Sequence, residues 1–205
     1  MKKQVIKILV GLMLVTGAAG CAKPPTEEMN ASQASIQAVT SEGANVYAKD
    51  ELAGLQKEMA AAQDEIKVQE GKLFKNFDKA KEMIAKAKAG AEGLKPVVAT
   101  RKEEAKQNAI AGLAAAQAAV TEAKDLLANA PKGKGTSADI EAMGADLNGL
   151  SESLPGVQSM IDSADYFGAA DKAGVISQKA GEVSAQVKAA MEKMAASKKT
   201  SKKKK

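Results

Sequence analysis

From Leu52 onward the larger apolar residues of this chain recur three and four positions apart, a spacing that predicts an all-α protein. Leu52, Leu55, Met59, Ala62, Ile66, Gln69 and Leu73 follow this rhythm, and six of the seven are apolar, so one face of a long helix must pack on a partner. Gly71 to Asn76 reads as a turn, with Asn76 or Asp78 capping the next helix. Phe77, Ala80, Ile84, Ala87, Ala91 and Leu94 continue at the same spacing and supply the antiparallel partner. Lys95-Pro96 removes a helical hydrogen bond, so a kink or stop is expected near 96. A further helix over about 97–128 carries the seam Ala109, Leu113, Ala116, Val120, Ala123 and Leu127. Asn129 to Gly135, with one proline and two glycines, is the clearest loop.

On either side of this region the pattern extends. Thr26-Glu27-Glu28 looks like a helix cap and an acidic first turn, opening a helix over about 27–45 with Ile36 and Val39 as its larger apolar residues. Gly43 and residues 46–49 mark a break, after which Asp50 can cap the helix that carries Leu52. Beyond the loop, Ile140, Met143, Leu147, Leu150, Leu154, Val157 and Ile161 stand 88 residues after the seven members of the first stripe. After a slip of two residues, Phe167 and Ala170 answer Phe77 and Ala80, which reads as a diverged repeat of one helical hairpin. Amphipathic helices share this spacing without common origin, and the matched aromatics favour duplication. Pro155-Gly156 should kink or break the first helix of the second copy. A last helix is expected over about 169–196, with Ile176, Ala180, Val183, Val187, Ala190 and Met194 along its seam. The expected organisation is therefore elongated antiparallel hairpins or a bundle, with one helical region over 27–130 and a second hairpin over 136–196. Spacing alone leaves open whether these seams close within one chain or between chains.

The N-terminal apolar run has a different character. Lys2, Lys3 and Lys7 precede Ile8 to Val15, small residues 16–20 follow, and then comes Cys21, the only cysteine. Basic head, short apolar run and small-residue site are the layout of a secretory signal over 1–20. A transmembrane helix is the rival, but it needs about 20 apolar residues, and Lys7 leaves too few before Lys23-Pro24-Pro25. Ala18-Ala19-Gly20-Cys21 resembles the lipobox of bacterial lipoproteins, with Ala where that family most often has Leu. The resemblance implies cleavage before Cys21, a thioether-linked diacylglycerol on its sulfur, an acylated amine, and a lipidated linker over 21–26. Ala22, where an Asp would favour inner-membrane retention in that family, leans toward the outer membrane, facing the periplasm. A free or buried thiol is the plainer alternative, and a disulfide within the chain is excluded by the count of one.

Composition narrows the chemistry. Aromatics make up 2% of the 205 residues, and alanine supplies much of the apolar total, which predicts thin helical seams rather than a deep core. The net charge of +5 is unevenly placed: without Lys2, Lys3, Lys7 and six lysines of the tail, 21 of the 30 basic residues face 25 acidic ones. A helical body of mixed charge is a solvated surface and not a nucleic-acid footprint. With no histidine and one thiol, nucleophile–histidine sets and His/Cys metal sites are unavailable, so neither an enzyme nor a metal or other cofactor is expected. Glu103-Glu104, and Asp162 with Asp165, are the nearest carboxylate clusters for acid–base work, but charges on amphipathic helices account for them. Gly133-Lys134-Gly135 lacks the spacing and preceding strand of a phosphate loop.

The run Ile36, Gly43-Ala44, Tyr47-Ala48, Glu51-Leu52, and later Phe77, Ala80 and Lys81, resembles the Ala-rich lipoproteins of the domain-of-unknown-function 4398 family over about residues 27–94. Lys49 stands where that family usually has Pro. The resemblance implies an envelope lipoprotein of helical hairpins similar to tetratricopeptide-type repeats. Residues 197–205 read as a disordered basic tail. Its Lys198, Lys199, Lys202, Lys203, Lys204 and Lys205 either bind anionic envelope polymers and lipid head groups or only solubilise the end. Lys205 also resembles, at one position, the C-terminal lysine that joins small helical lipoproteins to peptidoglycan. The expected role is a non-enzymatic, membrane-anchored interaction scaffold with an envelope-protein partner. The alternative is a spacer linking membrane to cell wall.

Overall fold

The computed structural model describes residues 22–130 and 137–202, with side chains of the second stretch described over 139–194. The expected signal segment over 1–20, Cys21 and Lys203 to Lys205 lie outside these residues, as do the side chains of Lys198, Lys199 and Lys202. The fold is all-α: α1 (Thr26–Val39), a wide turn (Thr40–Ala44), α2 (Asn45–Tyr47), α3 (Lys49–Glu70), α4 (Asp78–Ala128), α5 (Ser137–Asp162) and α6 (Tyr166–Lys202). Among the described residues there is no strand. The chain divides into two compact units, one ending at Pro96 and one beginning at Val97. The expected single region over 27–130 is thus split, with the second half of α4 belonging with α5 and α6.

In the first unit, α1 buries Met29, Ser32, Ile36 and Val39. It ends as an α-helix at Val39, earlier than the expected 45, for a local reason. The hydroxyls of Thr40 and Ser41 donate to the carbonyls of Ile36 (2.7 Å) and Gln37 (3.0 Å), a back-bonding that bends helices. Gly43 follows at φ +113°, where a side chain would be strained and a Cβ would crowd the Tyr47 ring. The chain thereby reverses into α3, whose Leu52, Leu55, Met59 and Ala62 are buried as the stripe predicts. Two expected caps are absent. Thr26 and Asp50 lie inside the first turns of their helices, neither capped by a side chain, and Thr26 Oγ1 donates to Pro24 O at 3.5 Å.

The partner of α3 is residues 78–96 of α4, and their pairing is antiparallel. Lys79 bridges to Glu65 at 3.0 Å and Lys86 to Glu58, so register advances on one helix as it recedes on the other. A Cβ on Gly90 would stand 2.6 Å from Leu55 Cδ2, which shows how closely the helices approach. Phe77, Ala80, Ile84, Ala87, Ala91 and Leu94 are all buried, and Phe77 heads the fully buried side chains by volume.

Of the two outcomes expected at Pro96, a kink or a stop, the stop does not occur: α4 runs on through it. The proline is exposed, as is Glu92, whose carbonyl loses its helical donor, so that carbonyl can be satisfied by solvent. Pro155 lies inside α5 in the same way, exposed and with the helix continuous to Asp162.

The second unit packs residues 97–128 of α4 with α5 and α6 around Leu113, Val120, Leu147, Val157, Ile176 and Val187, interleaved with buried alanines. Its repeat register differs from the expected one. Tyr166, not Phe167, packs on the core, while Phe167 is 53% exposed. With Tyr166 matched to Phe77, buried Ala169, Ala173, Ile176, Ala180 and Val183 answer Ala80, Ile84, Ala87, Ala91 and Leu94 in turn. The slip is therefore one residue, not two. The α5–α6 turn is tight: Asp165 N donates to Met160 O (2.9 Å) and Ala164 N to Ile161 O (3.0 Å), a helix-ending motif that prefers glycine at position 164. Ala164 occupies it at φ 62°. Ala164→Gly is accordingly expected to stabilise this unit by about 0.5–1 kcal/mol, seen as a higher urea midpoint at unchanged slope.

The last helix runs past the expected 196 to Lys202, so the tail is not disordered from 197. Alanine and lysine have high helix propensity, and cations are favourable in a last turn, which accounts for the extension.

Candidate functional site

The residue types singled out for chemistry occupy ordinary structural positions. Asp165 caps α6, accepting from Gly168 N at 3.1 Å. Asp162 accepts from Gln158 Nε2 at 2.9 Å and Glu103 from Gln107 Nε2 at 2.7 Å, both one helical turn apart, and Glu104 is exposed. No group of three or more carboxylates, cysteines or histidines able to hold a metal ion occurs among the described residues. A small cavity of about 40 Å³ between Leu127, Ala130, Met143, Val187 and Met194 has room for about one water and is lined almost wholly by apolar groups. Gly133-Lys134-Gly135 lies outside the described residues, as does Cys21, the predicted lipidation site.

The feature that stands apart is the α3–α4 turn. Leu73 is 86% exposed and Phe74 88%, whereas no other exposed large apolar side chain in the described residues exceeds 56%. Leu73 was expected to close the α3 stripe, but the helix ends at Glu70, three residues too soon to keep it on the buried face. Lys72 and Lys75 flank the pair directly.

This turn is firmly built beneath its exposed tip. Gln69, the polar member of the α3 stripe, is buried; its Nε2 donates to Glu65 Oε1 (2.8 Å) and its Oε1 accepts from Asn76 N (3.3 Å). Asn76 Oδ1 in turn accepts from Asp78 N (2.8 Å), satisfying a free amide at the start of α4. Glu65 also takes Lys79 across the hairpin. Among the described residues no buried side-chain polar atom is left without a partner. A signal for the tip existed in the sequence: Leu73 and Phe74 are adjacent, and neighbours in sequence cannot share one helical face.

The same network carries the electrostatics. The hydrogen bond from Gln69, then that from Lys79, holds the Glu65 carboxyl below its ordinary value of 4.5. On α4, the hydrogen bond and charge of Glu58 raise the Lys86 ammonium above 10.5. A lowered carboxylate contributes stability above its unfolded pKa and loses it as pH falls through the folded one; a raised ammonium contributes below 10.5 and loses it as pH rises through its folded value. Lys86 is exposed, so its effect is small, whereas the Glu65 side chain is only 17% exposed. Glu65→Gln is expected to flatten the decline of the first unit's melting temperature on acidification below about pH 4.5, measured against wild type at several pH values.

No protein-family model, no curated protein and no solved structure matches this chain.

Proposed function

We propose that this protein is a lipid-anchored protein of the bacterial cell envelope that serves as a non-enzymatic interaction scaffold. The observation that carries the proposal is the N-terminal sequence, in which a basic head, an apolar run too short to span a bilayer and a small-residue stretch lead directly to the single cysteine. Acylation of Cys21 supplies the attachment. Among the described residues no helix is long and apolar enough to cross a membrane. The two helical units, each with a thin core and a polar outer surface, present their faces to a partner protein in the envelope, and Ala22, standing where an Asp would favour inner-membrane retention, supports an outer-membrane position facing the periplasm. Crosslinking in intact cells, followed by purification from detergent-solubilised membranes, tests the scaffold role. A reproducible stoichiometric partner supports it, and recovery of the protein alone under several crosslinking chemistries contradicts it.

The six lysines at the chain end favour a second reading, since they oppose an acidic body and sit at the far terminus from the anchor. In that reading the tail holds peptidoglycan or another anionic polymer. Sacculi boiled in detergent would retain the full-length protein and release one truncated before Lys198.

A further inference from the structure

We infer that the Leu73–Phe74 tip of the α3–α4 turn dips into the lipid surface beside the Cys21 anchor, giving the first unit a second, non-covalent membrane contact. The inference rests on the lipid-anchor reading for its location and on the structure for its geometry. The α1 helix runs antiparallel to α3, with Ser32 Oγ 3.1 Å from Met59 Sδ where the two cross. Toward its N-terminus α1 reaches buried Pro25, two turns and about 10 Å from Ser32. From Met59 to the end of α3 at Glu70 is about 16 Å in the same direction. Pro25 and the tip therefore lie at one end of the unit. Cys21 lies four residue-to-residue steps before Pro25, enough to extend roughly 13 Å at 3.3 Å per step. The lipid attachment point can reach the level of Leu73 and Phe74 without disturbing α1.

The chemistry of the tip fits a bilayer interface. Two large apolar side chains project from a turn, where glycine, asparagine, aspartate and serine are the usual residues, and both are almost wholly exposed. Lys72 and Lys75 stand on either side, and long cationic side chains lay their stems along apolar surface while the ammonium stays among the head groups. Glu70 and Asp78 balance their charge, so insertion is driven by the apolar pair rather than by net attraction to anionic lipid. The buried Gln69 with Glu65, Asn76 and Lys79 holds the turn in shape, so little ordering is left for the binding event. The covalent anchor holds the tip at high local concentration beside the surface, which makes a contact of this size effective.

The chain has no tryptophan, so Phe74→Trp places a single reporter at the tip and Val46→Trp places one at the opposite end of the same unit. Full-length acylated protein carrying either substitution would be reconstituted into phosphatidylethanolamine–phosphatidylglycerol vesicles with and without brominated acyl chains. The expected result is blue-shifted emission and bromine quenching for Phe74→Trp, and water-like emission without quenching for Val46→Trp. Vesicle flotation separates the two readings. Protein that floats with an unquenched Phe74→Trp overturns tip insertion and leaves the anchor standing; protein that neither floats nor is quenched overturns both. A blue shift in lipid-free detergent that grows with protein concentration assigns the tip to a second copy of the chain and also overturns the inference.

Discussion

Cys21→Ser is expected to turn a protein extracted only by detergent into one that alkaline carbonate washes from membranes. Each buried methylene of an acyl chain contributes about 0.8 kcal/mol, and two or more chains give stable attachment where one gives marginal attachment. Serine cannot form the thioether, so the whole of that contribution is lost. What remains is the apolar stretch Ile8 to Val15, which is well short of the roughly 20 residues a span needs. The tip contact at Leu73–Phe74 offers two side chains and does not substitute for diacylglycerol. A Cys21→Ser protein that resists carbonate would restore the rival reading, in which the N-terminal segment is itself a membrane helix.

Phe77→Ala should destabilise the first unit by about 3–5 kcal/mol, the usual cost of truncating a buried aromatic. Small domains have total stabilities of about 5–15 kcal/mol, so the substitution would consume a large part of the margin. The reason is the thinness of the seam. Ala62, Ala80, Ala87 and Ala91 are fully buried yet contribute little area, leaving a few larger residues, Phe77 with Leu52, Leu55, Met59, Ile84 and Leu94, to supply the larger apolar side chains of α3 and this half of α4. The loss also lies at the first turn of α4, next to the network of Gln69 and Asn76 that shapes the tip. Urea unfolding followed by circular dichroism measures it. The corresponding pair in the second unit discriminates between registers: Tyr166→Ala should cost more than Phe167→Ala, because Tyr166 packs on the core and Phe167 is half exposed. The reverse order would restore the two-residue slip.

The all-α architecture and most of its core were legible from spacing alone, because a thin alanine seam leaves the few larger residues to mark the face. Leu52, Leu55, Met59, Phe77, Ile84, Leu94, Leu113 and Val120 are buried where the three-and-four rhythm places them. What spacing does not encode is where a helix stops. The rhythm continues through Leu73 although the helix ends at Glu70, and the same regularity that reveals α3 conceals the exposed tip. Local hydrogen bonding decided other boundaries: Thr40 and Ser41 end α1 early, and no side chain caps α1 or α3 where Thr26 and Asp50 were expected to. Pro96 and Pro155 were expected to kink or end their helices, and neither ends one, because both fall on solvent-facing positions, information that a residue's identity does not contain. Gln69, the exception in an apolar stripe, turned out to be the buried hub of the α3–α4 turn. The predicted lipidation site is legible only as a local motif, and no packing argument bears on it.

Lipid attachment at Cys21 is decided by the mass of the N-terminal peptide of protein purified from membranes. The expected result is a chain beginning at Cys21, with a diacylglyceryl thioether on sulfur and an acyl group on the amine. A chain beginning at Met1, or one beginning at Cys21 with a free thiol and amine, would contradict it.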